Sequence, residues 1–143
     1  MAIKQLYHGS KEYRQMVNLR LEIMRKPLGL IFSDDELQKE KDDVLIGAFD
    51  EEVIIGCCIL SKIDNNTVRL RQMAVQKNQQ GIGIGESMMA FAENIARDRG
   101  YKLLTMHARD TAIGFYEKYG YKVKGTAFIE VNIEHHQMEK KLQ

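Results

Sequence analysis

Apolar residues recur along this chain with two periods, and the points where the period changes mark its elements. After Ser10, which can cap a helix, Tyr13, Met16, Val17 and Ile23 or Met24 fall near helical spacing to about Arg25. Pro27-Leu28-Gly29 stops that run. Ser33-Asp34-Asp35-Glu36 has the form of a capping box and predicts a short second helix. Val44 to Phe49 and Val53 to Leu60 are apolar runs separated by Asp50-Glu51-Glu52, the pattern of a hairpin. Asp64-Asn65-Asn66 then turns the chain into a third strand, Thr67 to Val75, which carries Arg69 and Arg71 at alternate positions.

Met88, Phe91, Ala92, Ile95 and Ala96 make a helical stripe that ends at Gly100. Tyr101 to Met106 is mostly apolar and predicts a strand buried on both faces. Asp110 or Thr111 caps a short helix through Lys118, closed by Gly120, and Tyr121 to Lys124 and about Ile133 to Lys140 supply the last strands. Strands joined by tight turns pair antiparallel, whereas a strand–helix–strand unit crosses over to a parallel neighbour. The expected fold is a single α/β domain over residues 1–143, with a mixed sheet, antiparallel at its start, one parallel crossover and flanking helices. An exposed edge on the last strand offers a place for a homodimer to form.

Composition narrows the function classes. A chain of 143 residues buries a proper core as one domain, and no repeat or low-complexity linker divides it. A formal net charge of +1 argues against a general nucleic-acid binder. Cys57 and Cys58 are adjacent in an apolar run and read as buried thiols of a reducing compartment. No run reaches transmembrane length and the first residues do not resemble a leader, so the expectation is a cytoplasmic enzyme or binding domain away from membranes.

The candidate chemistry gathers at Gln80-Gly81-Ile82-Gly83-Ile84-Gly85, between a strand-like and a helix-like run. Glycines at alternate positions free the backbone for positive φ. A loop of this kind ahead of a helix turns several N–H groups toward one point, where they and the helix dipole favour a phosphate. A nucleotide-hydrolysing P-loop would need Lys after the last glycine, where Glu86 and Ser87 stand. A dinucleotide site would need G-x-G-x-x-G and an acid about 20 residues on, whereas the following strand ends in Met106-His107-Ala108. A tight turn with no ligand uses the same residues.

Gln80-x-x-Gly83-x-Gly85 resembles the Q/R-x-x-G-x-G/A signature of the GNAT superfamily of N-acetyltransferases, and Arg71-Gln72-Met73-Ala74-Val75 looks like the strand that leads into it. Downstream, Ala112-Ile113-Gly114-Phe115-Tyr116-Glu117-Lys118-Tyr119-Gly120-Tyr121 is similar to the family's A-x-x-F-Y-x-K-x-G-F segment, with Tyr in the last place. The two stand in the family's order about 30 residues apart, which is more specific than either alone. The resemblance runs from about Lys4 to Leu142. Pro27-Leu28-Gly29-Leu30 and His136-Gln137-Met138-Glu139-Lys140 look like a small bacterial branch of these enzymes.

The resemblance implies an acetyl-CoA-dependent N-acetyltransferase acting on a primary amine, with no metal, by direct attack in a ternary complex. Amides of Gln80, Gly81, Ile82, Gly83, Ile84 and Gly85 would bind the pyrophosphate of the cosubstrate. Gln80 stands where many relatives carry Arg, and Lys77 can supply part of the missing charge. The pantetheine arm would pair with the strand edge at Met73, Ala74 and Val75, as added peptide strands do. A backbone N–H there would polarise the thioester carbonyl, an effect worth about 3 kcal/mol in comparable sites. Phe115 belongs to the second signature, and Arg109 lies where relatives often bond the pantetheine arm through Asn. Tyr116 would donate to the departing thiolate, since a phenol stays protonated at neutral pH.

The residues leave the general base open among His107, His135, His136, Glu22, Glu130 and ordered water. Arg20, Arg25, Arg69 and Arg71 can place positive charge near the pocket, which would suit an amine bearing a carboxylate or phosphate. Asp34-Asp35-Glu36 with Glu40, Asp42 and Asp43 is expected to cap and solvate a short helix. Neither cysteine is paired with a His by any motif, which argues against an acetyl-enzyme. Two other readings keep the fold: a non-catalytic acyl-CoA sensor, which would not need Tyr116, and a structural domain that binds no CoA.

Overall fold

The computed structural model describes residues 1–142. Its elements are β1 (Ala2–Leu6), α1 (Lys11–Arg20), α2 (Asp34–Gln38), β2 (Val44–Asp50), β3 (Val53–Lys62), β4 (Thr67–Val75), α3 (Ile84–Asp98), β5 (Leu103–Arg109), α4 (Ile113–Glu117), β6 (Lys122–Glu130) and β7 (Ile133–Lys141). The strands form one sheet in the order β1-β2-β3-β4-β5-β7-β6. Every neighbouring pair is antiparallel except β4 and β5, the two strands joined through α3. This is the mixed sheet with a single parallel crossover that the sequence pattern predicts.

Alternation along β3 sends Cys58 and Leu60 to one face, with Met88, Met89, Ala92 and Ala96 of α3. Cys57 and Ile59 go to the other, with Tyr13, Met16 and Leu19 of α1. Each large buried side chain contributes roughly 1.5–3 kcal/mol, so two covered faces give the sheet a core on both sides. Gly56 lets α3 lie close on β3: a Cβ there would sit 2.8 Å from Met88 Cε and 3.0 Å from Ile84 Cγ2. A second tie is polar. Buried Glu93 of α3 accepts from Tyr121 Oη at 2.7 Å and from Lys140 Nζ at 3.0 Å.

Several elements differ from the sequence pattern. β1 was not expected; it is an edge strand in which Leu6 alone is buried, too little for a period to register. The first α-helix ends at Arg20, and Leu21–Arg25 continues as a wider π turn before the Pro27 break. β5 is not buried on both faces: Leu104, Met106 and Ala108 join the α3 core, while His107 and Arg109 on the opposite face stay partly open. β6 extends to Glu130, well past Lys124, because its mostly exposed residues carry no apolar alternation. β7 offers no free edge, since it lies between β5 and β6; the edge belongs to β6. At α4 neither Asp110 nor Thr111 forms a side-chain cap. The Asp110 carboxylate is taken by His136 Nδ1 at 2.7 Å.

Candidate active site

β4 and β5 run side by side only as far as Leu70–Met106, although β4 continues to Val75 and β5 to Arg109. A bulge starts the separation. Between Cys57 and Ile59 of β3 the partner changes from Ala74 to Arg71, so β4 carries one extra residue there. Gln72 takes it up with φ of 57°, a left-handed conformation unusual for a side chain of its size. The phase of the strand flips across it. Val68 and Leu70 face the α3 core, and after the bulge Met73 and Val75 do so, while Ala74 joins the α1 cluster. The β5-side backbone of β4 from Arg71 onward therefore has no strand partner.

The glycine loop lies at the C-terminal end of β4. Gly81 and Gly83 have φ of 85° and 88°, which only glycine adopts freely. Gly83 is the N-cap of α3, makes no side-chain cap bond, and accepts the first helical hydrogen bond from Ser87 N through its carbonyl. The amides of Ile84, Gly85 and Glu86 are thereby left without intrahelical acceptors. Gln80 folds back and donates from Nε2 to Val75 O at 3.1 Å, tying loop to strand. Ile82 is exposed and Ile84 buried. Phe115 packs over the first turn of α3, its Cζ 3.8 Å from where a Gly85 Cβ would sit.

A cavity of about 380 Å3 occupies the gap between the strands. Met73, Arg109 and Tyr116 line it together, as do Met24 and Arg25 from the π turn, Arg69 and Arg71 from β4, and His107, His135 and Glu130. Ala74, Val75, the glycine loop and Phe115 are not part of this lining, although Phe115 packs edge-on against Tyr116. Burial pushes the Tyr116 phenol up to about 12, so at neutral pH it holds its proton, which leaves the hydroxyl able to donate.

The structure sorts the candidate bases. His107 Nδ1 lies 2.9 Å from Glu130 Oε2. An ionised carboxylate only accepts, so it selects the neutral tautomer with the proton on Nδ1 and the lone pair on Nε2. His135 is buried and stacks on Phe128, with Nδ1 2.7 Å from Ile133 O. His136, held by Asp110, and Glu22, paired with Lys26, are outside the cavity lining. Cys57 and Cys58 are fully buried thiols, and burial pushes Cys57 up to about 12.

A family model described as an acetyltransferase (GNAT) domain matches residues 29–142. The chain belongs to the GNAT acetyltransferase family. It is 31% identical over 115 residues to a probable N-acetyltransferase 14 of Xenopus tropicalis, a match covering 77% of this chain and 55% of that protein. Thus the chain spans about half the length of that relative. Among solved structures, a putative N-acetyltransferase from Lactobacillus plantarum superposes with a TM-score of 0.83 at 24% identity, over the whole of both chains. An aminoglycoside 6'-N-acetyltransferase complexed with coenzyme A gives 0.83 at 15% identity, over 100% of this chain and 98% of that one.

In this GNAT domain the residues present fit coenzyme A. The uncapped N-terminus of α3 suits the pyrophosphate, and nothing lies within 4 Å of where a Gly81 Cβ would sit. The unpaired edge of β4 suits the amides of the pantetheine arm. Among the described residues no group of His, Cys, Asp or Glu could hold a metal, and no helix is long and apolar enough to cross a membrane.

One part of the GNAT site did not emerge from the sequence. Arg20 is not at the pocket; it is fully buried and grips both oxygens of Glu40, at 2.8 and 2.7 Å. Glu40 is not solvated either, and also accepts from Tyr13 Oη at 2.7 Å. From this network Arg20 Nε donates to Gln72 Oε1 at 3.2 Å, fixing the side chain of the bulge residue. The signal that marks the bulge is a step of three between core-facing residues, Leu70 to Met73, where a regular strand steps in twos.

Proposed function

We propose that this protein transfers an acetyl group from acetyl-CoA to a primary amine of a small molecule, by direct attack in a ternary complex. The observation that carries this reading is the parting of β4 from β5 beyond Leu70–Met106, with Tyr116 and the His107–Glu130 pair lining the cavity it opens.

The glycine-loop amides and the β4 edge hold the cosubstrate, and backbone N–H groups freed by the Gln72 bulge donate to the thioester oxygen as charge builds on it. Glu130 orients His107, whose Nε2 takes a proton from the incoming ammonium. The amine lone pair then forms the C–N bond and the C–S bond breaks. The second N–H proton leaves with the sulfur, as the thiol, by way of the Tyr116 hydroxyl. A phenol with so high a pKa passes a proton on rather than standing ionised, which supports a relay role. Inert cysteines support direct transfer over an acyl-enzyme.

The test is free-thiol release from acetyl-CoA across a panel of amines, with calorimetry for acetyl-CoA binding. Binding together with amine-dependent thiol release is expected. Binding without release for any amine would favour an acyl-CoA sensor, and no response at all would overturn the reading.

A further inference from the structure

The cavity carries more positive charge than acetyl transfer requires. Arg25, Arg69, Arg71 and Arg109 all line it, against one lining carboxylate, Glu130, which is engaged by His107. Two of the four arginines are held by the protein. Arg25 donates to Ile31 O at 2.8 Å and to Glu36 at 2.9 Å, and Arg71 lies 3.6 Å from Asp43 Oδ2. Arg69 is different. Among the described residues none of the ion pairs at the cavity engages it, and its Nε is buried with no hydrogen-bond partner.

A buried guanidinium N–H without an acceptor is costly, and natural structures keep few of them unless a ligand or ion completes the site. The groups that best satisfy a guanidinium fork are carboxylate and phosphate. The position of Arg69 adds a neighbour. It is opposite Thr105 in the parallel ladder, and His107 lies two residues further along β5 on the same face, just past the last paired position. Both line the one cavity, so a single small molecule there can meet both.

On the acetyl-transfer reading, we infer that the acceptor is a small primary amine carrying a carboxylate or phosphate, its anion held by Arg69 and its amine presented to His107. The remaining positive charge draws such a molecule in and disfavours polyamines and basic peptides.

The experiment compares matched pairs that differ in the acid: β-alanine against β-alaninamide, and O-phosphoethanolamine against ethanolamine. Each is assayed for thiol release with wild type, Arg69→Gln and Arg69→Lys, and acetyl-CoA binding is measured separately by calorimetry. In wild type the acid-bearing member of at least one pair should have kcat/KM about tenfold or more above its partner, the worth of one charge-assisted hydrogen bond. The better pair tells carboxylate from phosphate. Arg69→Gln should erase that preference and leave acetyl-CoA binding intact, and Arg69→Lys should restore part of it.

Equal or better use of the uncharged members overturns the inference and leaves acetyl transfer standing. So does acetyl-CoA binding with no release from either acid-bearing compound. If Arg69→Gln weakens acetyl-CoA binding as much as acceptor use, Arg69 serves the donor and the inference also fails. No acetyl-CoA binding by wild type removes the acetyl-transfer reading itself.

Discussion

Arg20 and Glu40, twenty residues apart and each about 1% exposed or less, meet through two parallel hydrogen bonds in the layer between α1 and the sheet. Burial opposes ionising either group, but the Arg20 hydrogen bonds outweigh it and hold the Glu40 carboxyl below its ordinary value of 4.5. Removing one partner strands a buried charge, so Arg20→Met should cost about 3–5 kcal/mol in a denaturant melt. The pair also carries a pH dependence. Folded Glu40 binds its proton more weakly than unfolded Glu40, so its contribution is full above 4.5 and is lost as pH falls through the lower folded value. Acid titration of stability should show this loss in wild type and a smaller one in Glu40→Gln.

Gln72 holds a left-handed backbone with its side chain tied to Arg20. Gln72→Val should destabilise by about 1–3 kcal/mol, since a β-branched residue resists positive φ. Gln72→Gly keeps the bulge and should retain stability better. Thiol-release assays on the pair separate bulge geometry from fold: turnover should follow the Gly variant closely and drop steeply in the Val variant.

Tyr116→Phe leaves the ring and its packing against Phe115 and Tyr121 in place and removes only the hydroxyl. The expected result is a fall in kcat of roughly 10²-fold, the usual scale for a proton-transfer group, with acetyl-CoA affinity nearly unchanged by calorimetry. Because the phenol is pushed up to about 12, no basic limb from its ionisation should appear in the wild-type rate profile below about pH 10.

Cys57 and Cys58 should be silent toward a disulfide reagent at about pH 8 in the native protein, because burial holds both as thiols. After denaturation both should react. Fast native labelling would contradict their burial in the sheet.

Gly83→Val forces a β-branched residue to a φ of 88° at the N-cap of α3. The strain is about 1–3 kcal/mol, and a loop that relaxes to avoid it turns its amides away. A weakened acetyl-CoA isotherm is expected, with acceptor selectivity unchanged among variants that still turn over.

What the sequence revealed depended on how local the physics was. The β2–β3 hairpin, the α3 stripe and the capping box at Ser33 were all legible, because each is set by neighbours a few residues away. The capping box is present as expected, with Ser33 Oγ accepting from Glu36 N at 3.1 Å. The two signatures around Gly83 and Tyr116 located the family for the same reason. What escaped was long-range. Arg20 read as a cation near the pocket, and Glu40 as part of a solvated helix cap, until the fold buries them together. His107 and Glu130, 23 residues apart, become a pair only when the β6–β7 hairpin folds back beside β5. β1 and most of β6 are edges with little to bury, and an edge leaves almost no pattern in the chain.

The early end of the β4–β5 ladder at Leu70–Met106 makes this a protein whose own backbone leaves its main architectural unit unfinished. A ligand that lies along the open edge acts as a missing strand, and at a hundredfold excess over its Kd would add about 2.7 kcal/mol to folding. The amount of intact protein would then rise and fall with the supply of acyl-CoA. Protection of the amides after Leu70 from hydrogen exchange would then gauge how much donor is present.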